Sequence, residues 1–174
     1  MEKLKYPIGK VTLPEDFDST WVLNDLKTLI ELPILLDEWV VKNEDKLSNQ
    51  YREGSWTAAQ VINHIADSHL NGYLRCRHAI TESTPSILPY NQNLWAEFED
   101  SKMLDVNASL SIIAGLHARW SIFFNQLSDQ QWHYDYDHPG AGRKFTMYQA
   151  LANYAWHSKH HYAHLEIISR NETK

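Results

Sequence analysis

Histidine is the residue type in this sequence that most clearly suggests chemistry. The chain has ten histidines among 174 residues, and four of them lie within eight positions: His157, His160, His161 and His164. Neutral imidazole is the commonest metal ligand in proteins, and two histidines four positions apart lie on the same side of a helix. Other residues interrupt the cluster and an ordinary apolar segment follows it, so it belongs to the protein and is not a purification tag.

The last predicted helix, Met147 to Ser169, indicates which of these histidines face the core. Its apolar residues fall on one side: Met147, Ala150, Leu151, Tyr154, Leu165 and Ile168. At about 100° per residue, His161 lies roughly 20° from the centre of that face and His157 roughly 60°. His164 lies roughly 80° away and His160 about 120°, so this second H-x-x-x-H pair is on a poorer face. We predict that His157 and His161 point inward; the alternative is that they are ordinary core histidines with polar partners.

An earlier helix carries a polar stripe. Thr57 and Gln60 form a T-x-x-Q capping box, which predicts a helix from there to about Thr81. Along it, polar residues recur at i, i+4, i+7 and i+11: His64, Ser68, Asn71 and Arg75. The other sides are largely apolar, so we interpret the stripe as the lining of an internal cavity, with a water-facing stripe as the alternative. His64 would then supply a third inward imidazole.

Three neutral imidazoles from two helices, those of His64, His157 and His161, would give a divalent metal three protein ligands. At least one position would stay open for water or substrate, which is typical of catalytic zinc sites, whereas a structural site normally has a fourth protein ligand. Zinc is therefore the expected ion. Nickel, cobalt, iron or manganese could also bind three nitrogens, since selectivity depends on geometry and availability.

Other polar residues on these helices have less specific patterns. Asp67 lies three residues after His64 and roughly 60° from it on the wheel, which makes it the candidate proton acceptor for hydrolysis. It could instead orient a ligand imidazole or be a surface residue. His69 falls toward the apolar face of its helix, which predicts a buried, hydrogen-bonded histidine. Arg75 or Arg119 could hold an anionic group of a substrate, but either could have a structural partner.

The remaining patterns predict the elements that position these residues. Apolar residues recur at helical spacing from Ser19 to about Lys42, with Pro33 predicting a kink or break. A third helix is predicted from about Ser109 to Gln126, and Trp132 to Phe145 reads as a loop or small hairpin before the last helix. No long alternating strand pattern is present. We predict an all-α, antiparallel four-helix bundle in a single domain, residues 1–174.

Composition excludes several classes of partner. Lys and Arg total 16 against 22 acidic residues, so a net charge of -6 gives no general attraction to nucleic acid or anionic lipid. No apolar run approaches the roughly 20 residues that span a membrane. The single cysteine, Cys76, cannot form an intrachain disulfide, and charges near Met1 interrupt any signal peptide, so we expect a soluble cytoplasmic protein. A homodimer is compatible with the several tryptophans.

Two longer motifs carry a family resemblance. W-T-x-x-Q-V-x-x-H-x-A-D-S-H spans residues 56–69, and W-H-S-x-H-H-x-A-H spans residues 156–164. The chain resembles the DinB/YfiT-like superfamily of metal-dependent hydrolases, in particular its YfiT branch, which is related to bacillithiol S-transferases. The resemblance implies a four-helix bundle, often dimeric, with His64, His157 and His161 as metal ligands by motif. The glycine-rich loop from Asp137 to Lys144 departs from the family pattern.

Three functions are compatible with such a site. The first, and the one we expect, is metal-dependent hydrolysis of a small molecule, in which the metal lowers the pKa of bound water to about 7. The second is S-transfer, in which the open position binds a low-molecular-weight thiol such as bacillithiol as its thiolate. The third is a non-catalytic protein in which the metal orients a ligand or stabilises the bundle.

Overall fold

Four long helices and one hairpin make up most of the chain, as the sequence predicts. The computed structural model describes residues 2–170. The long helices are α2 (Ser19–Lys42), α3 (Ala58–Thr81), α6 (Asn107–Asn125) and α7 (Met147–Arg170). Three short helices accompany them: α1 (Glu2–Lys5), α4 (Gln92–Trp95) and α5 (Glu99–Lys102). Strands β1 (Asp135–His138) and β2 (Arg143–Thr146) pair antiparallel and lead directly into α7.

Both helices that carry the central histidines begin at the predicted T-x-x-Q pattern. At the start of α3, the Gln60 backbone N–H donates to Thr57 Oγ1 at 3.2 Å, and the Thr57 N–H donates to Gln60 Oε1 at 3.0 Å. Thr146 and Gln149 make the same exchange at 3.4 and 3.3 Å before α7. Each pair satisfies two backbone donors that have no partner within the helix, which fixes where the helix begins.

Helix α2 is continuous through Pro33, so the predicted break is absent. Proline has no backbone N–H, and therefore the carbonyl of Leu29, one turn earlier, receives no donor from position 33. Leu29 is fully buried. A side chain of α6 takes up this carbonyl, as described below.

The long helices are not arranged in chain order around the bundle. Helix α2 packs against α6 and α7, and α3 packs against the same two helices, so α2 and α3 occupy opposite corners. The connection between them, residues 43–57, must therefore cross one end of the bundle. This crossing brings residues near Tyr51 and Trp56 over the histidines of α7.

A polar layer separates two apolar parts of the core. One part is built around Leu29, Trp120 and Tyr154, and the other around Leu36, Ile62 and Leu165. His69 on α3 and the four histidines of α7 lie between residues of the two parts along their helices. Within residues 2–170, every helix is too short or too polar to cross a membrane.

Candidate metal centre

The structure brings together the three histidines that the sequence singles out. His64 extends from α3, and His157 and His161 extend from α7; their ligand atoms all lie within 4.8 Å of one another. His64 and His161 are buried, and His157 is half-buried. Nε2 of His64 lies 3.1 Å from Nε2 of His157. Two nitrogens bound to one tetrahedral zinc are about 3.3 Å apart, so this pair has the spacing that a shared ion requires.

Burial keeps these imidazoles neutral. It lowers the pKa of His64 to about 4, with a smaller contribution from nearby His160. Burial also lowers the pKa of His157 and of His161 well below the ordinary value, and neighbouring histidines lower both further. Nδ1 of His161 is buried and has no hydrogen-bond partner among the described residues. Neutral rings with free lone pairs are the form of histidine that binds metals.

A second histidine group overlaps the first. His160, His161 and His164 also place ligand atoms within 4.8 Å of one another, but all three come from α7. His164 is occupied otherwise, because its Nε2 lies 3.3 Å from the Lys5 carbonyl oxygen and its ring stacks on Tyr51 at 3.9 Å. The ring of His160 stacks on Trp156 at 4.5 Å between centroids. The group of His64, His157 and His161 is therefore the better candidate for a metal.

The burial of His160 and His164 corrects the helical-wheel estimate. The wheel places both on a poorer face of the last helix, yet only 7% of His160 and 2% of His164 is exposed. Residues outside the bundle cover them: Tyr6 beside His160, and Tyr51 over His164. A helical wheel uses the residues of one helix only, so it cannot predict burial by the amino-terminal segment or by the α2–α3 connection.

An open pocket lies directly above the histidines, with a volume of about 370 Å³. Its floor consists of His157, His160, His161 and His164. Aromatic side chains and two cations form the walls: Tyr6, Tyr51, Trp56, Trp156, Lys5 and Arg52. The described residues that line it include no aspartate or glutamate. The pocket has the size of a site for a small organic molecule.

Behind His157 lie two further histidines. His69 is fully buried, as the sequence predicts, and its Nε2 lies 3.0 Å from Nδ1 of His157. On its other side, Nδ1 of His69 lies 2.8 Å from Nε2 of His117 on α6. Sequence reasoning missed His117 because a lone histidine on a helix has no spacing signal. Its contact with His69 on another helix is visible only in the fold.

The other candidate residues lie away from the three histidines. Asp67 borders a separate cavity of about 260 Å³, where burial and nearby Asp100 raise its pKa. Arg75 donates from Nη1 to the hydroxyl of Tyr154 at 3.2 Å, which is a structural contact. Arg119 is exposed, and its guanidinium lies over the ring of Tyr73. The structure does not test Asp67 as the proton acceptor, and its position at this separate cavity favours the alternative of a residue outside the chemistry.

Cys76 has the environment of a packed thiol. It is fully buried, and burial raises its pKa to about 12.

The predicted cavity-lining stripe of α3 is mostly half-buried: Ser68, Asn71 and Arg75 are partly exposed, and only His64 is buried. The stripe therefore lies at the edge of the bundle and not around an internal cavity.

A helical bundle with a buried cluster of neutral histidines beneath an open pocket defines a class of metal-site protein, and comparison with known proteins identifies the family. Residues 31–165 match the DinB superfamily, and this chain belongs to it. YfiT of Bacillus subtilis is 39% identical over 168 residues, covering 96% of this chain and 94% of that protein. A Bacillus licheniformis relative is 40% identical over 167 residues, covering 95% of each chain.

A solved structure supports the same assignment. The structure of Bacillus subtilis YfiT aligns with a TM-score of 0.92 and 39% identity over 97% of each chain. It is described as a probable metal-dependent hydrolase with an unusual four-helix bundle topology, and the two relatives above carry an equivalent functional description. In the present chain, α2 and α3 occupy opposite corners of the bundle.

Proposed function

We propose that this protein is a metal-dependent hydrolase in which His64, His157 and His161 hold one divalent ion. The observation that carries the proposal is the meeting of three neutral imidazoles from two helices beside an open pocket, which His157 and His161 line. The names of the relatives point to the same chemistry. When bound, an ion with three nitrogen ligands and an open position acts as a Lewis acid that lowers the pKa of water to about 7.

The protein's own residues would position and enclose the substrate. Tyr51, Trp56 and Trp156 offer flat apolar surfaces on which an organic substrate can pack and lose contact with water. Lys5 and Arg52 lie on the same walls, and neither forms an ion pair among the described residues. We infer that the substrate carries a negative charge, because a pocket with two cations and no carboxylate favours an anion.

Zinc is the ion we propose, since three imidazoles with an open position are the usual ligand set of catalytic zinc; nickel or another transition metal is the alternative.

Transfer of a low-molecular-weight thiol is a second use of the same open position. There, a thiolate sulfur would attack an electrophilic carbon, and the leaving group would depart with the bonding pair. An assay that follows loss of free thiol in the presence of an electrophile separates this reaction from hydrolysis.

Elemental analysis of the purified, untagged protein tests the proposal. We expect close to one metal per chain in the parent protein and almost none in the triple variant His64→Ala, His157→Ala, His161→Ala. The double variant His160→Ala, His164→Ala is the matched control, because it removes the second H-x-x-x-H pair and should retain the metal. Circular dichroism establishes that each variant is folded. Equal metal content in the parent and the triple variant would refute the site.

Activity is then measured on the same samples. Hydrolysis of a 4-nitrophenyl ester should require the metal, disappear after chelation and return when zinc is added. Metal binding without any ester, amide or thiol chemistry would support a non-catalytic metal protein.

A further inference from the structure

A buried chain of hydrogen bonds runs from His157 through all four long helices. Nδ1 of His157 on α7 lies 3.0 Å from Nε2 of His69 on α3. Nδ1 of His69 lies 2.8 Å from Nε2 of His117 on α6. Nδ1 of His117 lies 2.6 Å from the carbonyl oxygen of Leu29 on α2. The rings of His69 and His117 are almost excluded from water, with 0% and 1% exposed.

A proline explains why the hydrogen-bond chain ends at the carbonyl of Leu29. Leu29 lies four residues before Pro33 in a continuous helix, and the carbonyl at that position normally accepts from the N–H at position 33. Pro33 has no N–H, so a buried carbonyl is left without its helical partner. An unpaired buried carbonyl costs free energy, and the N–H of His117 removes that cost. The proline therefore prepares an acceptor inside the bundle.

The hydrogen-bond direction along the chain then follows from chemistry. A carbonyl only accepts, so His117 must carry its proton on Nδ1. A neutral imidazole has one donor and one acceptor, so Nε2 of His117 accepts from Nδ1 of His69. By the same rule, Nε2 of His69 accepts from Nδ1 of His157. Each of the three rings therefore carries its proton on Nδ1, and Nε2 of His157 keeps its lone pair.

The rings are neutral, as this order requires. Burial lowers the pKa of His117 to about 4. Burial also lowers the pKa of His69 well below its ordinary value, and His117 and His157 lower it further. The ring planes are held by their surroundings: the planes of His117 and His69 are 13° from parallel with 5.0 Å between centroids, and Tyr154 lies edge-on to His69 at 5.4 Å. A reversed order would place two donors against each other or leave the Leu29 carbonyl without a hydrogen.

We propose that Leu29, His117 and His69 are positioning residues that hold His157 as the Nδ1–H tautomer, with the Nε2 lone pair directed at His64 and the metal. Nε2 of His157 is the atom that lies 3.1 Å from Nε2 of His64, as a shared ion needs. The inference rests on the proposed metal site for its purpose. The proton order itself is a property of the protein without metal, and it can be measured separately.

Nuclear magnetic resonance of protein labelled with ¹⁵N in histidine measures this order directly. Two-bond ¹H–¹⁵N correlations distinguish an Nδ1–H from an Nε2–H imidazole, and single substitutions of each histidine assign the signals. In the zinc-free protein we expect His69, His117 and His157 all as Nδ1–H tautomers. Observation of Nε2–H at His157, or of mixed tautomers at His69, would overturn the proposal whether or not the protein binds zinc.

Zinc affinity provides the second readout. His117→Leu removes both the donor to Leu29 and the acceptor for His69, and we expect it to weaken zinc binding by about 10–100-fold, as is typical when an outer partner of a metal ligand is lost. His117→Gln can still donate from its amide nitrogen and accept on its amide oxygen, so we expect zinc affinity close to that of the parent protein. His133→Leu, at an exposed position, is the control.

The two readouts separate positioning from simple packing. A merely structural His117 would lower the free energy of unfolding in His117→Leu while leaving zinc affinity and the His157 tautomer unchanged, and that result would refute the proposal. If His117→Leu does not fold, the tautomers of the parent protein still decide the question. Absence of zinc binding in every sample would refute the proposed function and leave the tautomer measurement valid.

Discussion

At the scale of single residues, the position of one proton decides how each imidazole can serve a metal. In the proposed proton order, Nε2 of His157 has the lone pair, so Nε2 of His64 must supply the hydrogen of their 3.1 Å contact in the metal-free protein. Binding of an ion requires His64 to carry its proton on Nδ1 instead. His157 needs no such change, because the chain behind it has already set its tautomer.

Asp67 is close to His64 in sequence, and a substitution tests whether it also acts as the proton acceptor. Its carboxylate borders the cavity beside Asp100 and not the pocket above the histidines. We therefore expect Asp67→Asn to retain metal and most of its ester hydrolysis, measured as kcat with the zinc-loaded protein. A general base would lose about 100-fold or more in rate upon this change. A loss of that size with unchanged metal content would establish Asp67 as the proton acceptor.

Arg52 tests the inferred charge of the substrate. We expect the parent protein to prefer a 4-nitrophenyl ester that carries a carboxylate, the hydrogen succinate, over neutral 4-nitrophenyl acetate in kcat/KM. Arg52→Gln should reduce that preference by about fivefold or less, because a partly exposed charge pair is worth at most about 1 kcal/mol. Arg77→Gln, which changes an exposed arginine beside Tyr73, is the control. An unchanged preference in Arg52→Gln would remove Arg52 from substrate recognition.

Some residues of the site can be identified from the sequence because they recur at helical spacing. His157 and His161 are four apart on an apolar face, and His64 begins a polar stripe, so each has a local signal. His117 and Leu29 have none, since their contact joins residues 88 positions apart. The pocket walls are also non-local, because Tyr6 and Tyr51 reach the histidines from segments whose path no helical pattern predicts.

At the scale of elements, the close approach of α3 and α7 depends on one glycine. A Cβ atom at Gly72 would overlap the ring of Tyr154, which packs within the core. We expect Gly72→Ala to lower the free energy of unfolding by about 1–3 kcal/mol, the cost of overfilling a packed core. Urea denaturation monitored by circular dichroism measures the change.

Gly115 supplies the matched control within α6. Nothing lies within 4 Å of a Cβ placed there, and the residue is exposed. Gly115→Ala should therefore raise the free energy of unfolding by about 0.5–1 kcal/mol, because alanine loses less backbone entropy in a helix. Destabilisation of similar size at both positions would mean that the contact with Tyr154 is not what requires glycine at position 72.

The helices themselves are predictable, since their signals are local. Capping boxes at Thr57 and Thr146 set two helix starts, and apolar spacing gives the extent of α2 and α6 to within about two residues. Pro33 misleads because a proline breaks an isolated helix, whereas in the bundle α2 packs along its length and its freed carbonyl finds a donor in His117. Tertiary contacts here outweigh a local preference.

At the scale of the whole molecule, a core that holds neutral histidines makes stability depend on pH. The pKa of His117 is about 4 in the folded protein and about 6.5 in an ordinary setting. Between these values the unfolded chain binds more protons than the folded one, so stability is complete above about pH 6.5 and falls as the pH drops toward 4.

We expect the metal-free protein to lose free energy of unfolding between pH 7.5 and pH 5.5, by about 1.4 kcal/mol for each histidine that stays neutral. Urea denaturation at the two pH values measures the loss. His117→Gln lacks one such group and should lose less by about the same amount. Stability that is equal at both pH values, or higher at pH 5.5, would contradict the neutral core.

Whether two chains associate is also a question at this scale. The sequence is compatible with a homodimer. Several large apolar side chains of α2 are exposed: Trp21, Leu23, Ile30, Ile34 and Val41. Light scattering of the purified protein across a range of concentrations determines the state. A mass near 20.3 kDa throughout would indicate a monomer.

The crossing of the bundle by residues 43–57 has a consequence for how such proteins diversify. Tyr51, Arg52 and Trp56 belong to this connection, and they form pocket walls without supplying any of the three proposed ligands. Connections between helices tolerate changes of length and sequence that the helices do not. If the proposed function holds, a segment that is free to vary would form part of the wall that the substrate contacts, and exchange of this one connection would change specificity without changing the three proposed ligands.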